Sequence, residues 1–271
     1  MVAEFVGGYL TNSLALISDA GHMLSDSVAL GLSLSALIFG ERAATANKTF
    51  GYKRFEILAA LLNGLVLIIL AVFICFEAVR RISEPVAVVG KGMIIISTIG
   101  LIVNIVVAWI LSRGEAKHNL NVKSAFMHVI GDLLGSVGAI MAALLIIFFG
   151  WTIADPIASM VVSLLILFSG WNILKEAVNI LMEGKPSDID PDEVKQMLLE
   201  IEGVTGVHDL HIWLITSDFP SLTAHLTVND GVNRDGLLEK AVNLIQHKFG
   251  IKHITIQIEG RQIVMEETCK Y

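Results

Sequence analysis

Charge is what this chain has little of. Only 17% of its 271 residues are Asp, Glu, Lys or Arg, and 54% are hydrophobic, whereas a soluble domain carries about 25% charged residues. The deficit is concentrated, because the windows 57–76, 92–112, 133–154 and 157–174 hold no charge at all. A bilayer takes roughly 17–25 apolar residues per helix, so each window is about long enough for a span. An excess of basic charge is also lacking, the formal net charge being −7. That argues against a nucleic-acid binder, which needs a basic surface, most of all for the acidic residues 184–271. Cysteine is nearly absent. Cys75 stands in an apolar window and Cys269 near the C-terminus, so no disulfide framework is expected. The first residues lack a basic segment of the kind that opens a signal peptide.

What charge there is divides the chain. Residues 1–183 carry 11 Lys/Arg and 12 Asp/Glu, and residues 184–271 carry 8 and 14. The second stretch has no apolar run of span length, so the expected organisation is a transmembrane domain over 1–183 and a cytosolic domain over 184–271. Hydrophobic runs predict helices near 13–39, 55–80, 91–113, 120–149 and 155–182. Loops 40–54 and 113–123 hold seven Lys/Arg together, against three in the opposite loops. The positive-inside rule therefore places both, and the acidic C-terminal part, in the cytoplasm. In that part, Asp190-Pro191-Asp192-Glu193 reads as a helix start running to about residue 201. Segments 207–215 and 222–228 read as strands, 234–249 as an amphipathic helix and 253–259 as a third strand. The predicted fold class is an α-helical membrane bundle followed by a small α+β domain of order αββαβ.

Against this apolar background stands LISDAGHMLSD, residues 16–26, which puts Asp19, His22 and Asp26 inside a predicted span. His22 and Asp26 are four apart and share a helix face. The spacing recurs in SAFMHVIGDLLGS as His128 and Asp132. Ionisable groups at membrane depth are costly and mark a pathway or wet cavity. Two imidazoles and two carboxylates supply four N/O ligands, the number a tetrahedral Zn²⁺ takes. Small neighbours (Ala20, Gly21 and Ser25; Gly131, Gly135 and Ser136) allow the helices to approach closely. The alternative is a structural polar cluster. Asp19 lies on the face of His22 as a gate or supporting group or as an interface residue, and Asn63 and Asn104 read as helix–helix glue. In the soluble part the candidate ligands are His208, His211, His225, Glu259 and Cys269. Residues 208 and 211 of one regular strand point to opposite faces, so one ion is not expected to take both. His247 and His253 read as surface residues, and His118 as a helix-entrance residue.

The segments SLALISDAGHMLSD, TFGYKRFEILAALLNG, SAFMHVIGDLLGS and GVHDLHIWLIT, with the later AHLTV and ITIQIE, resemble in this order the cation diffusion facilitator family, in particular its zinc-transporter branch. The resemblance covers almost the whole chain. It implies a homodimer of six-helix protomers that exchanges Zn²⁺ for H⁺ by alternating access, with a metallochaperone-like cytosolic domain; residues 1–10 supply only the tail of the family's first span. His22, Asp26, His128 and Asp132 fall on the family's transport site. His208, His225 and Glu259 match cytosolic zinc-binding positions, and Cys269 resembles a terminal thiol ligand. Arg54 and Glu183 match a charge interlock between the membrane part and the cytosolic domain. Some relatives bind a further metal through histidines in the loop after the second span; loop 40–54 has none, so that site is expected to be absent. The partners so implied are Zn²⁺ or a related divalent cation, protons, the bilayer and a second copy. A zinc-binding sensor or transport-inactive scaffold subunit is the rival reading. An intramembrane metalloenzyme is disfavoured, since four protein ligands leave no coordination position open.

Overall fold

The computed structural model describes residues 1–40, 44–113 and 120–260, with the side chains of 33, 36, 37, 113 and 120–128 outside the description. In chain order the elements are α1 (Val2–Thr11), α2 (Leu14–Gly40), α3 (Phe55–Ser83), α4 (Gly90–Arg113), α5 (Leu120–Phe149), α6 (Ala154–Leu181), α7 (Pro191–Leu199), β1 (Val204–Leu214), β2 (Pro220–Val228), α8 (Arg234–Phe249) and β3 (His253–Gly260). Among the described residues four helices are long and apolar enough to cross a membrane: Phe55–Ser83, Gly90–Ser112, Val129–Phe149 and Ala154–Leu181. The 27 residues of α2 also have span length, but they include Asp19, His22 and Asp26. By contact density the chain forms two compact units, Met1–Leu32 with Leu62–Leu174, and Ser33–Leu61 with Lys175–Tyr271. The unit boundaries fall within α2, α3 and α6.

In the first unit, α1 and α2 are separated by a sharp break. Asn12 takes a left-handed conformation (φ 58°), which its short polar side chain tolerates better than most. The break would leave the first N–H groups of α2 without partners. Asp155, in the first turn of α6 and fully buried, supplies the acceptors. Its carboxylate accepts from the Ser13 hydroxyl (2.6 Å) and from the backbone N–H of Leu14 (2.8 Å) and Ala15 (3.2 Å). Small residues then set the helix spacing. A cluster of Ala15, Leu16, Met93, Ala139, Ala142 and Ala143 packs α2 against α4 and α5. A Cβ on Gly64 of α3 would stand 3.1 Å from Gly170 O in α6, so these two helices meet backbone to backbone. Polar residues join helices as well: the Ser25 hydroxyl donates to Asn63 Oδ1 (3.1 Å), and Asn104 Nδ2 donates to Ser136 Oγ (3.5 Å). The outward surface is apolar, with Ile69, Phe73 and Phe76 all more than half exposed, as lipid-facing side chains would be.

The second unit contains the α+β sandwich. The sheet order is β1-β2-β3, with β1 and β2 antiparallel and β2 and β3 parallel; a parallel pair needs a crossover, and α8 provides it. Asp190 caps α7, accepting from Asp192 N–H, with Pro191 at the first helical position. Asn233 caps α8, and Gly250 (φ 68°) ends it in a left-handed turn, where a Cβ would be strained. Val194 and Leu198 of α7 and Leu237, Ala241 and Ile245 of α8 pack with Leu222, Ala224, Leu226 and Val228 of β2 in one buried core. Because side chains alternate along a strand, Thr223 and His225 face away from that core. The start of α3 and the end of α6 belong to this unit too, where Ile57, Ala177 and Ile180 form a buried cluster with Leu214 of β1.

Candidate metal centres

The first unit holds the intramembrane candidates. His22 and Asp26 share one face of α2, with His22 Nε2 3.7 Å from Asp26 Oδ2. The same nitrogen lies 3.9 Å from Oδ1 of Asp132 on α5. One imidazole nitrogen thus has a carboxylate from each of two helices near it. Metal–ligand bonds of about 2.0–2.1 Å in a tetrahedron set ligand atoms about 3.4 Å apart, so each of these two contacts is within about half an ångström of a tetrahedron's edge. Asp26 and Asp132 are each partly exposed, at 27% and 11% of their side-chain surface, so the cluster is not sealed inside the bundle. His128 precedes Asp132 by one turn of α5, and its side chain lies outside the described residues. Asp19 is buried against α5, where a Cβ on Gly135 would sit 3.4 Å from its Oδ1. Glu4 of α1 is buried too, beside Gly100 of α4; sequence reasoning did not single it out, and its place in so short a helix gave no signal.

The second unit holds the cytosolic candidates. His208, His225 and Glu259 each offer a ligand atom within 4.8 Å of the others. His208 Nε2 lies 3.1 Å from Glu259 Oε2, and His225 Nδ1 lies 3.0 Å from Glu259 Oε1. That Nδ1 is buried and makes no hydrogen bond, the carboxylate oxygen being near it at the wrong angle. A buried polar atom without a hydrogen bond is costly, and a cation between the three side chains would satisfy it. Glu259 itself is 3% exposed. Cys269 and His118 lie outside the described residues. His247 is exposed on α8, and His253 is exposed and flanked by the rings of Phe50 and Phe219.

One expectation is overturned. His208 and His211 do not point to opposite faces of β1. His208 pairs with His225 and His211 with Thr223, and the register shifts between them, so three steps on β1 match two on β2. This is a β-bulge, and the extra residue carries a left-handed Asp209 (φ 49°). The bulge returns His211 to the face of His208 and His225. There His211 Nε2 lies 3.1 Å from Asp209 Oδ1, and His225 Nε2 lies 3.7 Å from Asp209 Oδ2. The sequence signal was slight: aspartate is one of the few residues that tolerate φ > 0.

Arg54, just before α3, and Glu183, just after α6, meet in an exposed ion pair of 3.2 Å. Glu183 also adopts φ 60°, ending α6 as Gly184 N–H donates to Asn179 O (2.8 Å).

The family model described as "Cation efflux transmembrane domain" matches residues 1–182, and that described as "Cation efflux protein, cytoplasmic domain" matches residues 186–261. The chain is 52% identical over 263 residues to the cadmium, cobalt and zinc/H(+)-K(+) antiporter of Bacillus subtilis (strain 168), covering 96% of this chain and 84% of that one. It is 45% identical over 260 residues to the zinc transporter ZitB of Escherichia coli (strain K12), covering 96% and 83%. A solved structure, the metal-bound C-terminal domain of the CzcD transporter from Cupriavidus metallidurans, is 40% identical, spans 26% of this chain and 99% of that domain, and has a TM-score of 0.25.

Proposed function

The chain belongs to the cation efflux family, and we propose that it moves Zn²⁺ out of the cytoplasm in exchange for H⁺, through His22, Asp26, His128 and Asp132. It is an integral membrane divalent-cation efflux protein with a cytosolic C-terminal domain, and not an enzyme. The membrane part is residues 1–183, the cytosolic part residues 184–271, and the working unit is a homodimer. The observation that carries the reading is the His22 imidazole nitrogen near carboxylates of two helices, at 3.7 and 3.9 Å, within a bundle otherwise poor in charge. The relatives' names, which include zinc in both cases and protons in one, favour the same cargo and counter-ion.

The chemistry follows from the donor set. Zn²⁺ takes neutral imidazole and ionised carboxylate, so every proton that binds the site opposes the metal. Imidazole ordinarily titrates near neutrality, so protons arriving from the outer side would displace the ion and their loss to the cytoplasm would reset the site. Two carboxylates offset the dication's charge, and two imidazoles complete the tetrahedron. Since α2 and α5 each bring one HxxxD pair, a relative shift of the two helices would open or close the coordination set, which is the requirement for alternating access. Zinc-responsive regulation belongs to His208, His225 and Glu259 of the cytosolic domain, with Cys269 as a further ligand, and the Arg54–Glu183 pair acts as the charge interlock.

Zn²⁺ uptake into sealed liposomes, with and without an imposed pH gradient, tests the proposal. Uptake that grows with the gradient supports antiport. Zinc binding without uptake favours the sensor or scaffold reading, and zinc-dependent turnover of a substrate would favour an enzyme.

A further inference from the structure

We propose that Asn63 of α3 is a positioning residue for the transport site: by accepting the Ser25 hydroxyl it fixes the rotation of α2 about its own axis, and so the direction in which His22 and Asp26 face Asp132. The inference rests on reading His22, Asp26, His128 and Asp132 as the transport site, and it adds the residue that aims one half of it.

Asn63 is the one polar residue in the stretch 57–74 of α3, and it is buried. An amide in so apolar a stretch is costly unless it is hydrogen-bonded. Its Oδ1 accepts from Ser25 Oγ at 3.1 Å, and Ser25 is buried as well. Other serines of the bundle behave differently. Ser18 and Ser27 of α2, Ser97 of α4 and Ser159 of α6 donate to carbonyls one turn earlier in their own helices, at 2.7–2.9 Å, a common local bond for a helical hydroxyl. Ser25 donates across to another helix instead. Asn63 itself is held by the packing of α3 on α6. A Cβ on the neighbouring Gly64 would stand 3.1 Å from both Gly170 O and Leu174 N of α6, and further along α3, Leu67 and Ala71 share a buried cluster with Ile166.

Helix geometry carries this contact into the site. Gly21 and Ser25 are four apart and share the face of α2 turned to α3, where a Cβ on Gly21 would stand 3.1 Å from Leu70 Cδ2. His22 and Asp26 each follow by one residue, about 100° further round the helix, on the side where His22 meets Asp132 of α5. Turning α2 by about 20° moves a side-chain tip, at a helix radius of about 5–6 Å, by about 2 Å. That is enough to part His22 Nε2 from Asp132 Oδ1, which stand 3.9 Å apart. Beyond Ser25 the helix is loosely held: Val28 and Leu30 are exposed, and a Cβ on Gly31 would meet nothing within 4 Å. On the other side of the site, the packing of Leu14 with Ile74 and Ala78 of α3 lies about two turns before His22. The Ser25–Asn63 bond therefore sets the rotation where the ligands are.

The test measures Zn²⁺ flux against Zn²⁺ concentration in liposomes holding equal amounts of the full-length protein. Ser25→Ala and Asn63→Leu each remove one partner. Ser25→Ala/Asn63→Leu removes both and leaves neither polar group orphaned, so this variant keeps the fold. A hydrogen bond between membrane helices is worth about three- to sixteen-fold in an equilibrium. Both single variants and the double variant should therefore raise KM by one common factor in that range, with kcat within about twofold of the parent. A parental KM in the double variant overturns the proposal. Single effects that multiply in the double variant overturn it too, because the two residues then act apart, and so does a fall in kcat at constant KM, which marks a packing role. Asp132→Ala, measured beside them, separates the two readings. Full flux there overturns the transport site and the proposal with it, whereas lost flux there with a parental KM in the double variant overturns the role of Asn63 alone.

Discussion

Replacing Asp155 by Ala should weaken transport without touching a metal ligand, because Asp155 holds the start of the helix that carries His22 and Asp26. Its carboxylate is fully buried and accepts three hydrogen bonds, from the Ser13 hydroxyl and from the N–H groups of Leu14 and Ala15. Ser13 and Leu14 are buried as well, so water cannot easily replace the lost acceptors. Loss of a helix N-cap costs about 0.5–2 kcal/mol, and a buried donor left without a partner costs about 1–3 kcal/mol. Partial relaxation of the break at Asn12 reduces the sum, and we take about 3 kcal/mol, which is roughly 150-fold in the folding equilibrium at about 1.4 kcal/mol per tenfold. Asp155→Asn keeps one acceptor oxygen and should lose about half as much. The assay is SDS-induced unfolding of the detergent-solubilised protein, followed by helical circular dichroism, beside zinc flux at matched protein density. An Ala variant within about 0.5 kcal/mol of the parent would refute the reasoning, and so would an Asn variant worse than Ala.

Other outcomes follow from the proposed transport site and the interlock. His22→Asp shortens the side chain, enlarges the cluster and adds a negative charge, so the ratio of Cd²⁺ to Zn²⁺ transport should rise above the parent's while some Zn²⁺ transport is kept, with the pH dependence shifted to lower pH; side-by-side Zn²⁺ and Cd²⁺ flux across a pH series decides, and an unchanged ratio would move selectivity to the packing around the site. Arg54→Glu should reduce flux and Arg54→Glu/Glu183→Arg should restore part of it; since exposed pairs contribute only about 0–1 kcal/mol, thermal stability should change little in either, and a harmless Arg54→Glu would remove the interlock from the account.

The helices were legible because a single physical signal, uninterrupted apolar sequence, controls them. The expected spans at 55–80, 91–113 and 120–149 and the observed α3, α4 and α5 differ by at most three residues at any end. The soluble part was legible for a different reason: Asp190-Pro191 and Asn233 are local capping signals, and the αββαβ order follows from period alone. What escaped were features that depend on residues far apart in sequence. Asp155 reads locally as a carboxylate in the first turn of its own helix, and nothing in residues 154–160 announces that it caps α2, some 140 residues earlier. The bulge at Asp209 escaped because strict alternation was assumed for HDLH, and a one-residue slip moves a side chain to the other face. His22, Asp26 and Asp132 were named from spacing within single helices, but the approach of α2 to α5 was available only as an inference from chemistry.

Exchange of Zn²⁺ for protons at the proposed HxxxD pairs of α2 and α5 requires the two fluxes to be coupled. The most direct measurement records both fluxes at once, in liposomes that contain a pH-sensitive dye and a zinc-sensitive dye, with the parent and Asp132→Ala reconstituted at equal density. An inward Zn²⁺ gradient should drive protons outward through the parent, and Asp132→Ala, left with three ligands and one carboxylate fewer, should abolish both fluxes while the dimer stays assembled. Zinc entry with no accompanying proton movement would rule out exchange at this site, and so would Asp132→Ala vesicles that fill with zinc as fast as the parent.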